Sequence, residues 1–381
     1  MEQIKTKDDF KKFVEDFKKE NTLPYAYALG IAYKDEKDQA IATRWLSTNV
    51  QQNEGFLSVI LHALGTIIEE TTFWYLSDKS QDILKDYFMP FEGEDGHANI
   101  DVLKTGQSKS LYIIIYPTRE SLTEKGPINN ADALCRLTMI SRLHFKPNEL
   151  NLDGMFGLLN NLYYTEYGAL TENQWEKEFL KGKIVQPISC DKIPPLWWGA
   201  PVPTGVRIAD PSRVRLGAYL SPGTTIMHEG FVNFNAGTLG ACMVEGRISA
   251  GVIVGKDSDL GGGSSTMGVL SGGGKEKITI GENCLIGANG GTGISLGDRC
   301  TIEAGLYITV GMIIGLGVNS EIKDKFKLKG AYYSSQSFGY YIKAINLSGK
   351  NNMLLRRNSV DGGVELLWNE NPNKLNAKLH A

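Results

Sequence analysis

The chain has 381 residues, enough for two or three domains that each bury a core, and a formal net charge of −3. That balance gives no electrostatic reason to expect nucleic acid or an anionic membrane as a partner, and no apolar run approaches the roughly 18–20 residues that cross a bilayer. Five cysteines (Cys135, Cys190, Cys242, Cys284 and Cys300) are scattered without a C-x-x-C pair. They fit reduced thiols of a cytoplasmic protein better than a disulfide framework or a zinc site.

The charged opening, MEQIKTKDDFKKF, lacks the apolar stretch of a secretory leader. Thr6 and Asp9 predict the start of a helix whose Phe10, Phe13, Val14 and Phe17, at spacings of three and four, form one apolar face. YAYALGIAY (25–33) and SLYIIIYPT (110–118) have the length and β-rich composition of strands. ALGTIIEETTFWYL (63–76) and NNADALCRLTMISRL (129–143) are expected to be helical. Neither a G-x-G-x-x-G after a strand nor a G-x-x-x-x-G-K-[ST] occurs, so a nucleotide fold is unsupported here. Residues 1–185 are expected to form an N-terminal α/β domain for packing and oligomerisation.

From about residue 196 the composition changes: of 43 glycines, 26 lie between residues 201 and 320. Glycine at that density beside regular aliphatics implies many tight corners and no helices. The period is six. One series runs Ile208, Val214, Leu220, Ile226, Val232, Thr238, Val244, with Gly217, Gly223, Glu229, Asn235 and Ala241 in a companion register. The aliphatics resume at Val254 and Leu260, then Ile280, Ile286, Leu296, Ile302 and Ile308. Strands alternate with period 2 and helices with 3.6, so a six-residue repeat fits short strands at the flat sides of a triangular solenoid. A flexible linker would not hold aliphatics in phase. The breaks at 246–254, 266–278 and 288–296 are expected to be loops thrown out of the coil. The solenoid is expected over 186–325, with a C-terminal segment at 326–381.

Several long motifs in order carry a closer likeness: PPLWWGAPVPTGVRIADP, MHEGFVNFNAGTLGACMVEGRISAGVIVG, GANGGTGISLGD, EAGLY and RRNSVDGGVE. Together they resemble the tetrahydrodipicolinate N-succinyltransferase family, in its actinobacterial-like branch, among the hexapeptide-repeat acyltransferases. The likeness covers roughly residues 190–360, and LDGMFGLLNNLYYTEYG (152–168) extends it. It implies a left-handed parallel β-helix and a homotrimer with active sites between neighbouring coils. The implied reaction moves a succinyl group from succinyl-CoA to the amine of ring-opened tetrahydrodipicolinate, for diaminopimelate and lysine synthesis.

Amine attack on a thioester needs a proton acceptor, a stabiliser for the tetrahedral oxyanion and anchors for a phosphate-rich carrier. Glu245 and Arg247, two residues apart in an extended segment, point the same way. The resemblance makes Glu245 the catalytic carboxylate, as an acyl-anhydride former or a general base, and Arg247 a carboxylate anchor. It likewise implies contacts with substrate or CoA at Gly262, Ser265, Ala288, Glu303, Ala304, Gly311 and Lys343, and at the RRNS run Arg356, Arg357, Asn358 and Ser359. Asn289 lies in the same interrupted turn as Ala288. Around Lys343 the stretch FKLKGAYYSSQSFGYY (326–341) makes 311–345 longer and more aromatic than in compact relatives. Glu229 matches a family position that binds Mg2+ on the trimer axis, but Ser212 stands where its partner aspartate is expected.

Competing readings are another CoA-dependent N- or O-acyltransferase of the β-helix class, for example one acting on a sugar, and a non-catalytic trimeric scaffold. A β-helix carbonic anhydrase needs three histidine ligands. Only His228 of the five histidines falls in the repeat.

Overall fold

The structure, a computed structural model, describes residues 4–91, 97–104, 110–183, 185–271 and 275–375. Two compact units are present: one holds 1–144, 149–194 and 198–200, and the other holds 145–148, 195–197 and 201–381.

The first unit opens with α1 (Lys7–Glu20), started by a capping box between Thr6 and Asp9 and packed through the predicted phenylalanine face. The hydrophobic strands β1 (Ala26–Lys34), β2 (Ala40–Val50), β3 (Thr72–Tyr75) and β4 (Leu111–Tyr116) form an antiparallel sheet of order β2-β1-β4-β3. The expected helix over 63–76 is not formed. A helix at Glu54–Leu64 ends at Gly65, which takes a left-handed φ of +61°. Thr72–Tyr75 then pairs with Tyr112–Ile115, where β-branched and aromatic side chains favour a pleated surface. Asn130–Ser141 is a helix as predicted, N-capped by Asn129 and buried on every face. At its centre the fully buried Asp132 and Arg136 pair at 2.8 Å. Tyr116 donates to Asp132 at 2.7 Å, and Arg136 also donates to the carbonyls of Ser121, Leu122, Lys125 and Asn151.

The second unit is a parallel β-helix with three walls. Wall 1 stacks strands ending at Ile208, Ile226, Val244, Leu260, Ile286 and Ile302. Wall 2 stacks those of Val232, Ile248, Thr266, Thr292 and Ile308. Wall 3 stacks those of Leu220, Thr238, Val254 and Ile280. These positions point into the coil and have relative exposures of 2% or less, Ile208 excepted.

Only one of the three expected loops is extruded. Thr266 to Ile280 spans fourteen residues where a hexad would span six, and the excess forms a loop pinned by a Val269–Lys277 bridge. Residues 272–274 lie outside the described residues. The other two register breaks are deletions: Val244 to Ile248 and Thr292 to Leu296 each take four residues instead of six. A coil shortened by two residues keeps its strand pairing and changes only one corner.

A second inner column, two residues before the wall 1 aliphatics, holds Cys242, Ser258, Cys284 and Cys300. Each donates to a backbone carbonyl at a neighbouring corner: Gly255, Gly281, Gly297 and Lys350 respectively, at 2.9–3.2 Å. Burial pushes the Cys242 thiol up to about 12. These thiols act as small core donors.

Past the last coil, wall 1 continues. Met353–Arg357 pairs with Thr301–Ile302, forms a hairpin with Val364–Trp368, and the sheet runs on through Ile313–Gly315, Gly339–Lys343 and Tyr332–Ser334.

Candidate functional site

The wall 1 to wall 2 corner recurs once per coil. Its residues are Met227–Gly230, then Glu245 and Gly246 alone, then Gly261–Ser264, Gly287–Gly290 and Glu303–Leu306. Glu229, Glu245, Gly262, Ala288, Asn289, Glu303 and Ala304, scattered over 76 residues of sequence, therefore fall on one edge of the prism, one strand spacing apart. Backbone hydrogen bonds tie the rib together: Gly263 N donates to Glu245 O (3.3 Å), Asn289 N to Gly262 O (2.9 Å) and Gly305 N to Ala288 O (2.8 Å). Gly263, Asn289 and Gly305 take φ of +70°, +55° and +71° to turn this corner.

The two-residue corner sets Glu245 in a notch between four-residue corners on either side. Two glycines shape it. A Cβ on Gly246 would overlap the Ser264 hydroxyl and carbonyl, so the short turn excludes any side chain there. A Cβ on Gly262 would lie 3.5 Å from Glu245 Oε2 and would roof the carboxylate. Arg247 starts the next wall 2 strand with an exposed side chain. The register flanks it with Phe231 and Ser265. Among the described residues neither the Glu245 carboxylate nor the Arg247 guanidinium has a side-chain partner, so the two do not form the surface ion pair that their spacing allows. A carboxylate and a guanidinium two residues apart, neither taken up by another side chain among the described residues, can accept a proton and hold an anion respectively.

At the far end of the edge the expected CoA contacts are tied locally. Glu303 Oε2 accepts from Arg357 N at 2.7 Å, and Arg357 donates both Nη groups to Gly305 O at 3.2 Å. Arg356 Nε donates to Glu365 Oε1 at 2.8 Å. Asn358 and Ser359 follow on the turn of the same hairpin, with Asn358 Oδ1 accepting from Val360 N. Gly311 is not on this edge. It lies at the next corner, after Ile308, beside the strand of Lys343, which pairs with Ile313.

Glu229 shares the edge with Glu245, one coil away. Its Oε1 lies 2.9 Å from His228 Nδ1 and its Oε2 3.8 Å from Arg213, whose Nη2 also donates to Glu229 O. Ser212 donates through N and Oγ to Asp210, holding that carboxyl below its ordinary value. Among the described residues no group of three or more His, Cys, Asp or Glu could hold a metal ion. The expected Mg2+ ligand is thus already paired with its own chain's cation and imidazole.

Sequence reading missed that Gly246 is obligatory; the four-residue step from Val244 to Ile248 was its signal. It also left Tyr332 and Tyr341 unassigned, although their aromatic density was visible.

A model of the hexapeptide repeat of succinyl-transferases matches residues 277–310. A 2,3,4,5-tetrahydropyridine-2,6-dicarboxylate N-succinyltransferase of Pseudomonas aeruginosa is 49% identical over 263 residues, 68% of this chain and 72% of that protein. The protein of the same name from Vibrio cholerae is 48% identical over 259 residues, 67% and 71% respectively. A crystal structure of a proposed 2,3,4,5-tetrahydropyridine-2-carboxylate N-succinyltransferase from Campylobacter jejuni superposes with a TM-score of 0.84 at 31% identity, covering 97% of this chain and 99% of that one. The left-handed parallel β-helix expected of the hexads is the fold found, and an N-terminal α/β region precedes it in the sequence.

Proposed function

Because the chain belongs to the 2,3,4,5-tetrahydropyridine-2,6-dicarboxylate N-succinyltransferase family, we propose that it moves a succinyl group from succinyl-CoA to the amine of the ring-opened dicarboxylate. The product is N-succinyl-2-amino-6-oxopimelate, on the route to diaminopimelate and lysine. The observation that carries the residue assignment is the single edge. From Glu245 to Arg356 it crosses four strand spacings, about 19 Å at ~4.8 Å each. That is the order of length of the pantetheine arm, so a thioester at the notch leaves the nucleotide near the arginine pair. Gly262, Ala288 and Ala304 keep the path low, Ser265 and Arg247 receive the succinyl or acceptor carboxylate, and Gly311, Lys343, Arg356, Arg357, Asn358 and Ser359 surround the carrier's far end. In this reading residues 326–381 complete the CoA site.

The acceptor amine forms a C–N bond to the thioester carbon while the C–S bond breaks and CoA leaves as its thiolate. As general base, Glu245 takes the amine's proton and passes it to that thiolate. As acyl acceptor, Glu245 first displaces CoA and then yields the succinyl group to the amine. Thiol release from succinyl-CoA, with and without the acceptor, tests both. The anhydride route gives a stoichiometric, acceptor-independent burst of thiol and a protein-bound acyl group that hydroxylamine releases once free succinyl-CoA has been removed. The base route gives neither. No thiol release with the acceptor present would overturn the function.

We assign no resident Mg2+: Glu229 is engaged by Arg213 and His228 of its own chain and Ser212 offers no second carboxylate. A homotrimer remains part of the proposal, because a cleft closed by a neighbouring coil would shield the notch from water. A monomeric mass by light scattering would remove it. Dispersed free thiols support a cytoplasmic setting.

A further inference from the structure

Wall 2 presents an outward row that the register gives as Phe231, Arg247, Ser265, Gly291 and Tyr307. Val232, Ile248, Thr266, Thr292 and Ile308, the next residue along each strand, are buried in the coil, so this row faces out. Its fourth position has no side chain. A Cβ on Gly291 would fall 2.3 Å from Tyr307 Cε2, 2.5 Å from Tyr307 Cδ2 and 2.6 Å from Ser265 O. The φ of Gly291 is not left-handed, so room, and not backbone conformation, asks for glycine there. The half-buried Tyr307 ring leans across this gap with Cε2 the nearer atom, which carries its hydroxyl past the glycine toward Ser265. Arg247 stands three strands from Tyr307, about 14 Å at ~4.8 Å each. The lean of the ring from one end and the guanidinium arm from the other shorten that span, with Ser265 between them. Among the described residues neither hydroxyl nor the guanidinium has a hydrogen-bond partner.

Three donors along one outer row, with no acceptor of the protein set against them, fit a carboxylate, whose two oxygens accept several hydrogen bonds at once. We propose that Tyr307 closes this seat and sets its specificity: its hydroxyl donates to a carboxylate that Arg247 and Ser265 hold beside the Glu245 notch. Acyl transfer offers that carboxylate from two sources, the free end of the succinyl group and one end of the acceptor dicarboxylate. The consequence is discrimination. An analogue with a methyl in place of the carboxylate leaves the donors unpaired, and a site built to hydrogen-bond its substrate rejects such an analogue far more strongly than an apolar pocket rejects a missing methylene. Tyr307 reaches the seat because position 291 is glycine; any side chain there would lift the ring off the wall. This seat rests on the succinyl-transfer reading and adds to it a residue that the reading did not use.

The test is Tyr307→Phe in the full chain, which keeps the ring over Gly291 and removes only the hydroxyl; a melting curve checks that the variant folds. Transfer is measured with succinyl-CoA and with butyryl-CoA, which carries a methyl where succinyl-CoA has its carboxylate, over a range of acceptor concentrations. Succinate and pimelate are titrated separately by calorimetry, without turnover. If the seat takes the succinyl end, kcat/KM for succinyl-CoA should fall about ten- to a hundredfold, the range of one hydrogen bond to a charged group. Butyryl-CoA should then be unaffected and succinate should bind more weakly. If the seat takes the acceptor, its KM should rise by a similar factor with either donor and pimelate should bind more weakly, while the preference for succinyl-CoA over butyryl-CoA stays. Unchanged kinetics with unchanged affinity for both acids would overturn the seat. So would an equal fall with both donors at an unchanged acceptor KM, which would reduce the tyrosine to packing. A wild type that transfers no succinyl group, but whose affinity for succinate or pimelate drops in Tyr307→Phe, would leave the seat standing and remove the reaction.

Discussion

The two units solve the burial of polar groups in opposite ways. In the α/β unit a complete ion pair, Asp132–Arg136, sits at zero side-chain exposure inside a web of carbonyls and a tyrosine hydroxyl. A second web of Ser47, Asn49, Asn99 and Tyr27 lies in the same unit. In the β-helix unit the described residues bury no charged side chain; its buried polar groups are hydroxyls, thiols and the amide of Asn369. The thiols and hydroxyls of one column each donate to one backbone carbonyl. The first unit is therefore unique at a few positions, and the second is uniform along its length and places its charges on an edge. Loss of one partner should damage the first broadly, whereas a solenoid, whose coils contact mainly their neighbours, should feel it locally.

The sharpest break in that comparison is Arg136→Met. It strands a buried carboxylate and several carbonyls, a loss expected to cost about 3–5 kcal/mol. Denaturant unfolding would show it as an early transition of the α/β unit. A midpoint within error of wild type would mean that the web carries no net stability.

Glu245→Gln should do the reverse. It keeps the shape of the notch and removes the proton or acyl acceptor, so turnover should fall roughly a hundredfold or more, about 2.7 kcal/mol of barrier, with the melting temperature unchanged. Near-normal turnover would discard Glu245 as the catalytic group. A companion variant with two residues inserted after Gly246 restores the six-residue step. It should keep the coil and lose the activity, because the notch disappears.

Ser258→Ala removes one rung of the donor column. Ser258 Oγ donates to Gly281 O at 2.9 Å and accepts from Cys284 N at 3.0 Å. The expected cost is about 1–3 kcal/mol, and hydrogen exchange should speed up in the neighbouring coils alone. Faster exchange along the whole β-helix would contradict the local picture.

The smallest expected effect concerns pH. His144 has Nε2 2.9 Å from Thr48 Oγ1, and burial, with the Arg142 charge second, holds its pKa below the ordinary 6.5. The unfolded chain therefore binds a proton that the folded unit resists. This histidine's contribution to stability is full above the unfolded value and declines as pH falls below 6.5. Between about pH 7.5 and 5.5 the wild-type melting temperature should drop further than that of His144→Asn; equal drops would refute the assignment.

The hexads made the β-helix legible because the inward aliphatic must recur once per wall, and no other fold needs period six. The helix starting at Thr6 and the strands around Ala28 and Ile113 were equally legible, since capping and β-branched runs act over a few residues. The 63–76 segment was not. Gly65 stops one helix, and Thr72–Tyr75 becomes a strand only because Tyr112–Ile115 offers it an edge. The register breaks looked alike in sequence, yet one is an insertion and two are deletions. Strand pairing across coils decides between them, since a corner can lose two residues without disturbing its walls. Sequence likewise named the residues of the edge, and only the stacking of coils brings Glu229, Glu245, Gly262, Ala288 and Glu303 into line. Local signals are set by neighbours a few positions away, whereas which corner faces which is settled when coils 16, 18 or 26 residues apart hydrogen-bond.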